Sequence, residues 1–247
     1  MGDSAVRSVT GDPTVRTGPP CVRVLGREGV GKTVLGAALR ARSVALSDGA
    51  ADAVLYCFAG GLRATDRAAL DDLAAGSSGP PPVVAWTRAD AAGSWRAADA
   101  YAERLGEVLG GPVIPVMALL DDVDPVDLPA VRRLAQSDLA LPESAVAARA
   151  ALGADAGLLS RLGGYGLACA IGALRGSPSM SDDELLAGLR DLSGVDALLA
   201  PLAAAIDGHE ERREAEFEDL LRTVAVTDCA RRDAAERILL DRLGRVS

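Results

Sequence analysis

The chain has 247 residues, of which 49% are hydrophobic and 25% charged, the balance of a core-forming protein rather than a disordered one. Lys and Arg total 26 against 35 Asp and Glu, a formal charge of −9, and the excess lies in the second half: residues 1–120 carry 12 basic and 12 acidic groups, residues 121–247 carry 14 and 23. A surface of that sign repels phosphate backbones, which argues against broad nucleic-acid binding.

Residues 1–20 are polar and aperiodic and read as a tail. Cys21-Val22-Arg23-Val24-Leu25 predicts a buried parallel strand, and Val34–Leu39, after a glycine-rich stretch, predicts a helix. Val44-Ala45-Leu46 is a weak strand and Ala53–Phe58 a strong one. Thr65-Asp66 can cap a helix over 66–75, and residues 76–82 form a loop. Val83–Trp86 predicts a strand, Trp95–Leu109 a helix and Val113–Val116 a last strand. Strands alternating with helices imply an α/β fold with a mainly parallel sheet.

After about residue 125 the strand signals stop. Ser181-Asp182-Asp183-Glu184 is a capping-box pattern ahead of Leu185, Leu186, Leu189 and Leu192. Phe217, Leu220, Leu221 and Val224 recur at i, i+3, i+4, i+7, the stripe of an amphipathic helix. The expected organisation is a tail over 1–20, an α/β domain over 21–122 and an all-α domain over 123–247, joined at Asp121–Pro125. The longest uncharged apolar run, Leu162 to Leu174, is shorter than the roughly 20 residues that a membrane span requires. No signal segment opens the sequence. The four cysteines (Cys21, Cys57, Cys169, Cys229) form no C-x-x-C pair and read as small core residues of a reducing cytosol. The one histidine, His209, stands in a charged run and reads as a solvated group. A cytoplasmic location is expected.

Gly26-Arg27-Glu28-Gly29-Val30-Gly31-Lys32-Thr33 matches G-x-x-x-x-G-K-[ST] in full, after a predicted strand and at a predicted helix start. Glycines let backbone N–H groups curl around phosphate oxygens, and the following helix points its positive end at the anion. Lys32 supplies a compact charge to the β- and γ-phosphates, and the Thr33 hydroxyl suits Mg²⁺. Arginine appears 25 times in the chain and lysine once, as Lys32. In so arginine-biased a sequence, the one surviving lysine marks a position that requires it.

Thr87-Arg88-Ala89-Asp90 follows the third predicted strand and resembles the [NT]-K-x-D base-reading motif of P-loop GTPases, with Arg for Lys. In that family the carboxylate pairs with guanine N1–H and its amino group; the other reading of Asp90 is a helix N-cap. Val113–Val116 followed by Met117-Ala118-Leu119 resembles the family's last strand and S-A-x loop, with Met117 for Ser. Asp52–Phe58 with Gly61–Asp66 looks like the mid-sheet strand and next helix of dynamin-like GTPases. Leu158–Leu167 and Leu192–Asp196 look like the helical segment of actinobacterial dynamin-like proteins of the isoniazid-inducible type. The resemblance covers about residues 21–225. It implies a P-loop three-layer domain with a helical domain behind it, and bound GTP or GDP with Mg²⁺. The implied contacts run from Gly26 to Thr33 and include Thr87, Arg88, Asp90 and Ala118.

The switch region is short. Only 18 residues separate Thr33 from Asp52, and a helix consumes about ten of them, which leaves no room for a long switch loop and two full strands. Asp48-Gly49 is the remaining candidate for a Mg²⁺ contact beside Thr33, or else a turn. The expectation is a reduced dynamin-like GTPase with slow or partner-assisted hydrolysis, its partner a full-length dynamin-like GTPase or a second copy of the chain. Peripheral membrane contact stays open. The alternatives are a pseudo-GTPase interaction module and an ATP-dependent phosphotransferase.

Overall fold

The computed structural model describes residues 17–76, 79–142 and 145–243; the expected tail lies outside them up to residue 16. Two compact units are present, one spanning Cys21–Ile206 and the other joining residues 17–20 to residues 207–243. This division does not fall at the expected boundary between 122 and 123. The helices up to Ile206 belong to the same unit as the sheet.

In the first unit four strands, β1 (Val22–Gly26), β2 (Ala53–Ala59), β3 (Val83–Thr87) and β4 (Val113–Val116), form one sheet in the order β1-β2-β3-β4, parallel throughout. Parallel neighbours need a crossover to return the chain to its starting end. Each crossover here carries a helix: α1 (Lys32–Ala41), α2 (Ala64–Gly76) and α3 (Trp95–Leu109). Alternation along β2 sends Leu55 and Cys57 to one face, against Leu35 and Leu39 of α1. Tyr56 and Phe58 go to the other, against Leu70 of α2 and Leu105 of α3. With both faces covered, the strands read as near-continuous apolar runs, which is why they were visible in the sequence. The register pairs Gly26 with Cys57, Ala59 with Thr87, and Thr87 with Val116. The loops after all four strands therefore leave the sheet at one end. The weak strand at 44–46 is reduced to a single parallel bridge between Leu46 and Val22.

Four further helices, α4 (Leu128–Gln136), α5 (Ala145–Leu152), α6 (Leu158–Gly176) and α7 (Asp182–Asp191), share a second core built from residues such as Leu128, Val131, Leu167, Ile171 and Leu189. The capping box at Ser181 forms: its hydroxyl accepts from Glu184 N–H, and the Glu184 carboxylate accepts from Ser181 N–H. α8 (Leu199–Ile206) returns to the sheet and sets Leu202 and Ala205 on the Leu55 face. By length and composition, the helical stretch Val146–Gly176 is long and apolar enough to cross a membrane. Its buried side chains, Leu158, Leu162, Leu167, Ala170, Ile171 and Leu174 among them, form part of the second core, and α6 is interrupted at Gly163 (φ 71°, ψ 167°).

The second unit contains α9 (His209–Thr227) and α10 (Arg232–Leu243), which meet through Phe217, Leu221 and Ala235. Leu220 of the expected stripe is exposed. Arg213 donates to the carbonyls of Gly18 (2.8 Å) and Pro19 (3.3 Å), which ties the segment before β1 to α9.

Candidate functional site

β1 ends at Gly26, where φ is 135°. A Cβ there would stand 2.1 Å from the Cys57 carbonyl oxygen, so only glycine lets β1 stay paired with β2 while the chain turns away. Gly29 and Gly31 are also left-handed, with no atom within 4 Å of where a Cβ would be, so this side of the loop is open. Gly31 is the N-cap of α1, and no side chain caps the first amides of the helix. Those amides and the positive end of the helix dipole face outward, an arrangement suited to an anion. Lys32 folds back across the loop, its Nζ donating to the carbonyls of Gly26 (2.5 Å) and Arg27 (2.6 Å). Val30 is buried and anchors the underside, while Glu28 and Thr33 are exposed.

Arg27 is held on the first turn of α2. Its Nε donates to Asp66 Oδ1 (2.8 Å) and its Nη2 to the Ala59 carbonyl (3.3 Å). Asp66 is fully buried and also accepts from Tyr56 Oη (3.1 Å) and from Arg63 N–H (3.0 Å). Burial alone would raise its carboxyl pKa, but the Arg27 guanidinium, the Arg63 amide and the Tyr56 hydroxyl together hold it below the usual carboxylate value. The same burial, with the Asp66 acceptor beside it, pushes the Tyr56 phenol up to about 12. The sequence suggested a capping role for Asp66; its tie to Arg27 spans 39 positions and left no local signal. Asp66→Ala strands three donors and leaves a partly buried guanidinium unpaired, so a loss of about 3 kcal/mol is expected in chemical denaturation at pH 7. Because the folded pKa is depressed, this contribution is present above the unfolded value and fades as pH falls through the folded one. The gap between parent and Asp66→Ala should therefore narrow in acid.

The third strand's exit is bound to the same loop. Thr87 is buried, and its single hydroxyl proton is shared between the carbonyls of Val30 (2.5 Å) and Phe58 (2.9 Å). Arg88 adopts a left-handed conformation (φ 55°) and is exposed. Asp90 lies in a short 3-10 turn, Ala89–Ala92. It does not cap α3, since Ser94 does so by accepting from Ala97 N–H (3.2 Å). Burial raises the Asp90 carboxyl pKa, opposed by its own N–H and by the charge of Arg88. Gly31, Thr87, Arg88 and Asp90 line one cleft with Met117, Ala118, Leu119 and Leu120, and its volume is about 90 Å³. Thus the loop at the head of α1, the T-R-x-D segment and the turn after β4 converge, as their shared end of the sheet requires. Arg42, at the other end of α1, fixes the turn after β4: it grips both oxygens of the buried Asp121 (2.6 and 2.7 Å) and also pairs with Asp196.

Asp48 is not brought to this place. Ser47 N–H donates to the Val22 carbonyl, and the Cys21 thiol to the Ala50 carbonyl, which sets the Ser47–Ala50 turn beside the starting end of β1, whereas Gly26 lies at its other end. Asp48 is exposed there, in a turn where the Ser47 hydroxyl accepts from Gly49 N–H. Among the described residues no three His, Cys, Asp or Glu side chains are grouped to hold a metal ion. The sequence reading missed Leu162 and Gly166 of α6, which also line the cleft. Their signal is an apolar, glycine-rich helix that looks the same as any core helix. No family model, curated protein or solved structure matches the chain.

Proposed function

We propose that this protein is a guanine-nucleotide-binding P-loop protein, a reduced dynamin-like GTPase whose hydrolysis is slow or completed by a partner. The observation that carries this reading is the shared cleft: Gly31 at the head of the anion-binding helix and Asp90 with Thr87 and Arg88 line the same small space. The Gly26–Thr33 backbone and Lys32 would hold the phosphates. Asp90, desolvated and not needed as a helix cap, offers a carboxylate to paired N–H donors such as those on the guanine edge. The Arg88 stem and plane suit the face of a base. Mg²⁺ is usually held through one or two protein groups, with phosphates and water completing its shell. Thr33, exposed on the first turn of α1, fits that role; Asp48, at the far end of β1, does not. When bound, the ion supplies charge neutralisation between phosphate oxygens.

Slow turnover is supported by the single bridge at Leu46, which stands where a switch segment would lie. The loop's arginine is also already committed to Asp66. A protein partner, whether a larger GTPase or a second copy, would then donate the water-orienting group and the cation. Single-turnover hydrolysis by the chain alone is expected below about 10⁻² per second, the scale of a GTPase that carries its own arginine. Turnover above about one per second would show a complete catalytic set and end this part of the reading. No turnover with tight GDP binding would favour the pseudo-GTPase alternative. Titration with labelled GTP, GDP and ATP tests the base assignment directly. Preference for ATP would replace the reading with a phosphotransferase.

A further inference from the structure

Helix α6 meets the base end of the cleft at an unusual point. Its backbone leaves helical geometry at Gly163, with φ 71° and ψ 167°, and a Cβ on this residue would stand 3.3 Å from Asp90 Oδ2. On one side of the break Leu162 lines the cleft, and on the other Gly166 does. At Gly166 an added Cβ would lie 2.1 Å from a methyl of Leu120, so α6 sits directly on the turn after β4. Between them, the Tyr165 hydroxyl accepts from Trp95 N–H (3.2 Å), at the start of α3. Three successive contacts thus seat this stretch of α6 on the segments that frame the base end.

We propose that the Leu158–Gly166 part of α6 is the roof of the base subsite, with Leu162 its apolar ceiling and the specificity-determining residue. This rests on the guanine reading of the cleft. The volume of about 90 Å³ is well below the roughly 300–1,000 Å³ of ordinary small-molecule sites, so the cleft under this stretch of α6 is narrow. Gly163 serves the same end: the left-handed break brings the backbone over the carboxylate without a side chain on its hydrogen-bonding edge. By excluding water there, the roof makes an unpaired Asp90 expensive, so a base lacking the matching N–H pair is rejected more strongly than at an open site. Sequence alone could not show this, because residues 90 and 163 are brought together only by the fold.

Two measurements on the full chain test it. Hydrogen exchange of the wild-type protein with and without GDP should show slowing across residues 158–166. In Leu162→Ala, the affinity for guanosine diphosphates with benzyl-sized base substituents, divided by that for GDP, should rise about tenfold for at least one substituent position, the scale on which a hydrophobic pocket counts missing methylenes. A folded Leu162→Ala protein with an unchanged ratio for every analogue overturns the roof and leaves the guanine reading standing. Unaltered exchange over 158–166 with GDP bound has the same consequence, and it decides the matter without any variant if Leu162→Ala does not fold. A wild-type chain that binds no GDP removes the guanine reading and the roof with it.

Discussion

Lys32→Ala is expected to weaken GTP and GDP binding about a thousandfold while the protein stays folded. The ammonium would make charge-assisted hydrogen bonds to two phosphates, each worth about 1.5–3 kcal/mol, and losing both costs roughly 4 kcal/mol of affinity. The structure adds a smaller effect on the fold. Lys32 Nζ donates to the Gly26 and Arg27 carbonyls, so alanine also removes two contacts that close the loop on itself. Lys32 is only half-buried, water can reach what it leaves, and a stability loss of about 1 kcal/mol is expected. In a chain of this size that lowers the melting temperature by about 2–4 °C. Isothermal titration beside a thermal melt separates the two effects. Equal nucleotide affinity in variant and parent would refute the phosphate-loop assignment, whatever the melt shows.

The parts of this molecule that were legible in its sequence are those fixed by local pattern. β2 and β4 announced themselves because parallel strands covered on both faces are apolar runs, and the helix predicted over Trp95–Leu109 is α3. The short link from α1 to β2 followed from residue count alone, and it left only the Leu46 bridge. The missed features are the long-range ones. Asp66 looked like a cap, and its grip on Arg27 depends on β1 and β2 being neighbours. Asp48 seemed close enough to Thr33 in sequence to share an ion with it. Yet a parallel crossover carries the chain from one end of the sheet to the other, and that separates residues before and after a helix. α6 lies about 70 residues beyond Asp90 in sequence, and nothing in its glycines tells that one of them opens a helix above a carboxylate.

Asp90→Asn should lower affinity for guanine nucleotides by about a hundredfold, roughly 3 kcal/mol, and raise that for xanthine nucleotides. In the proposed complex the carboxylate would accept from guanine N1–H and the amino group; an amide would present one N–H where an acceptor is needed, and that N–H suits the carbonyl of xanthine. The effect should be large because Asp90 is shielded, so a mismatch cannot be repaired by water. The same shielding gives a pH signature. Burial holds the Asp90 carboxyl pKa above its ordinary value. Protonation removes an acceptor from the base edge, so guanine affinity should begin to fall at a higher pH than an ordinary aspartate would produce. Stability at this residue moves the other way. A raised folded pKa favours the neutral form, so its contribution is full below the unfolded value and is lost as pH rises through the folded one. Mild acid should therefore weaken binding while easing the cost of burying Asp90. In Asp90→Asn there is no proton to gain at position 90, and both dependences should flatten. A parent protein whose guanine affinity falls no earlier in acid than that of Asp90→Asn, or a variant that keeps the parent's preference for guanine over xanthine, would leave Asp90 without a part in reading the base.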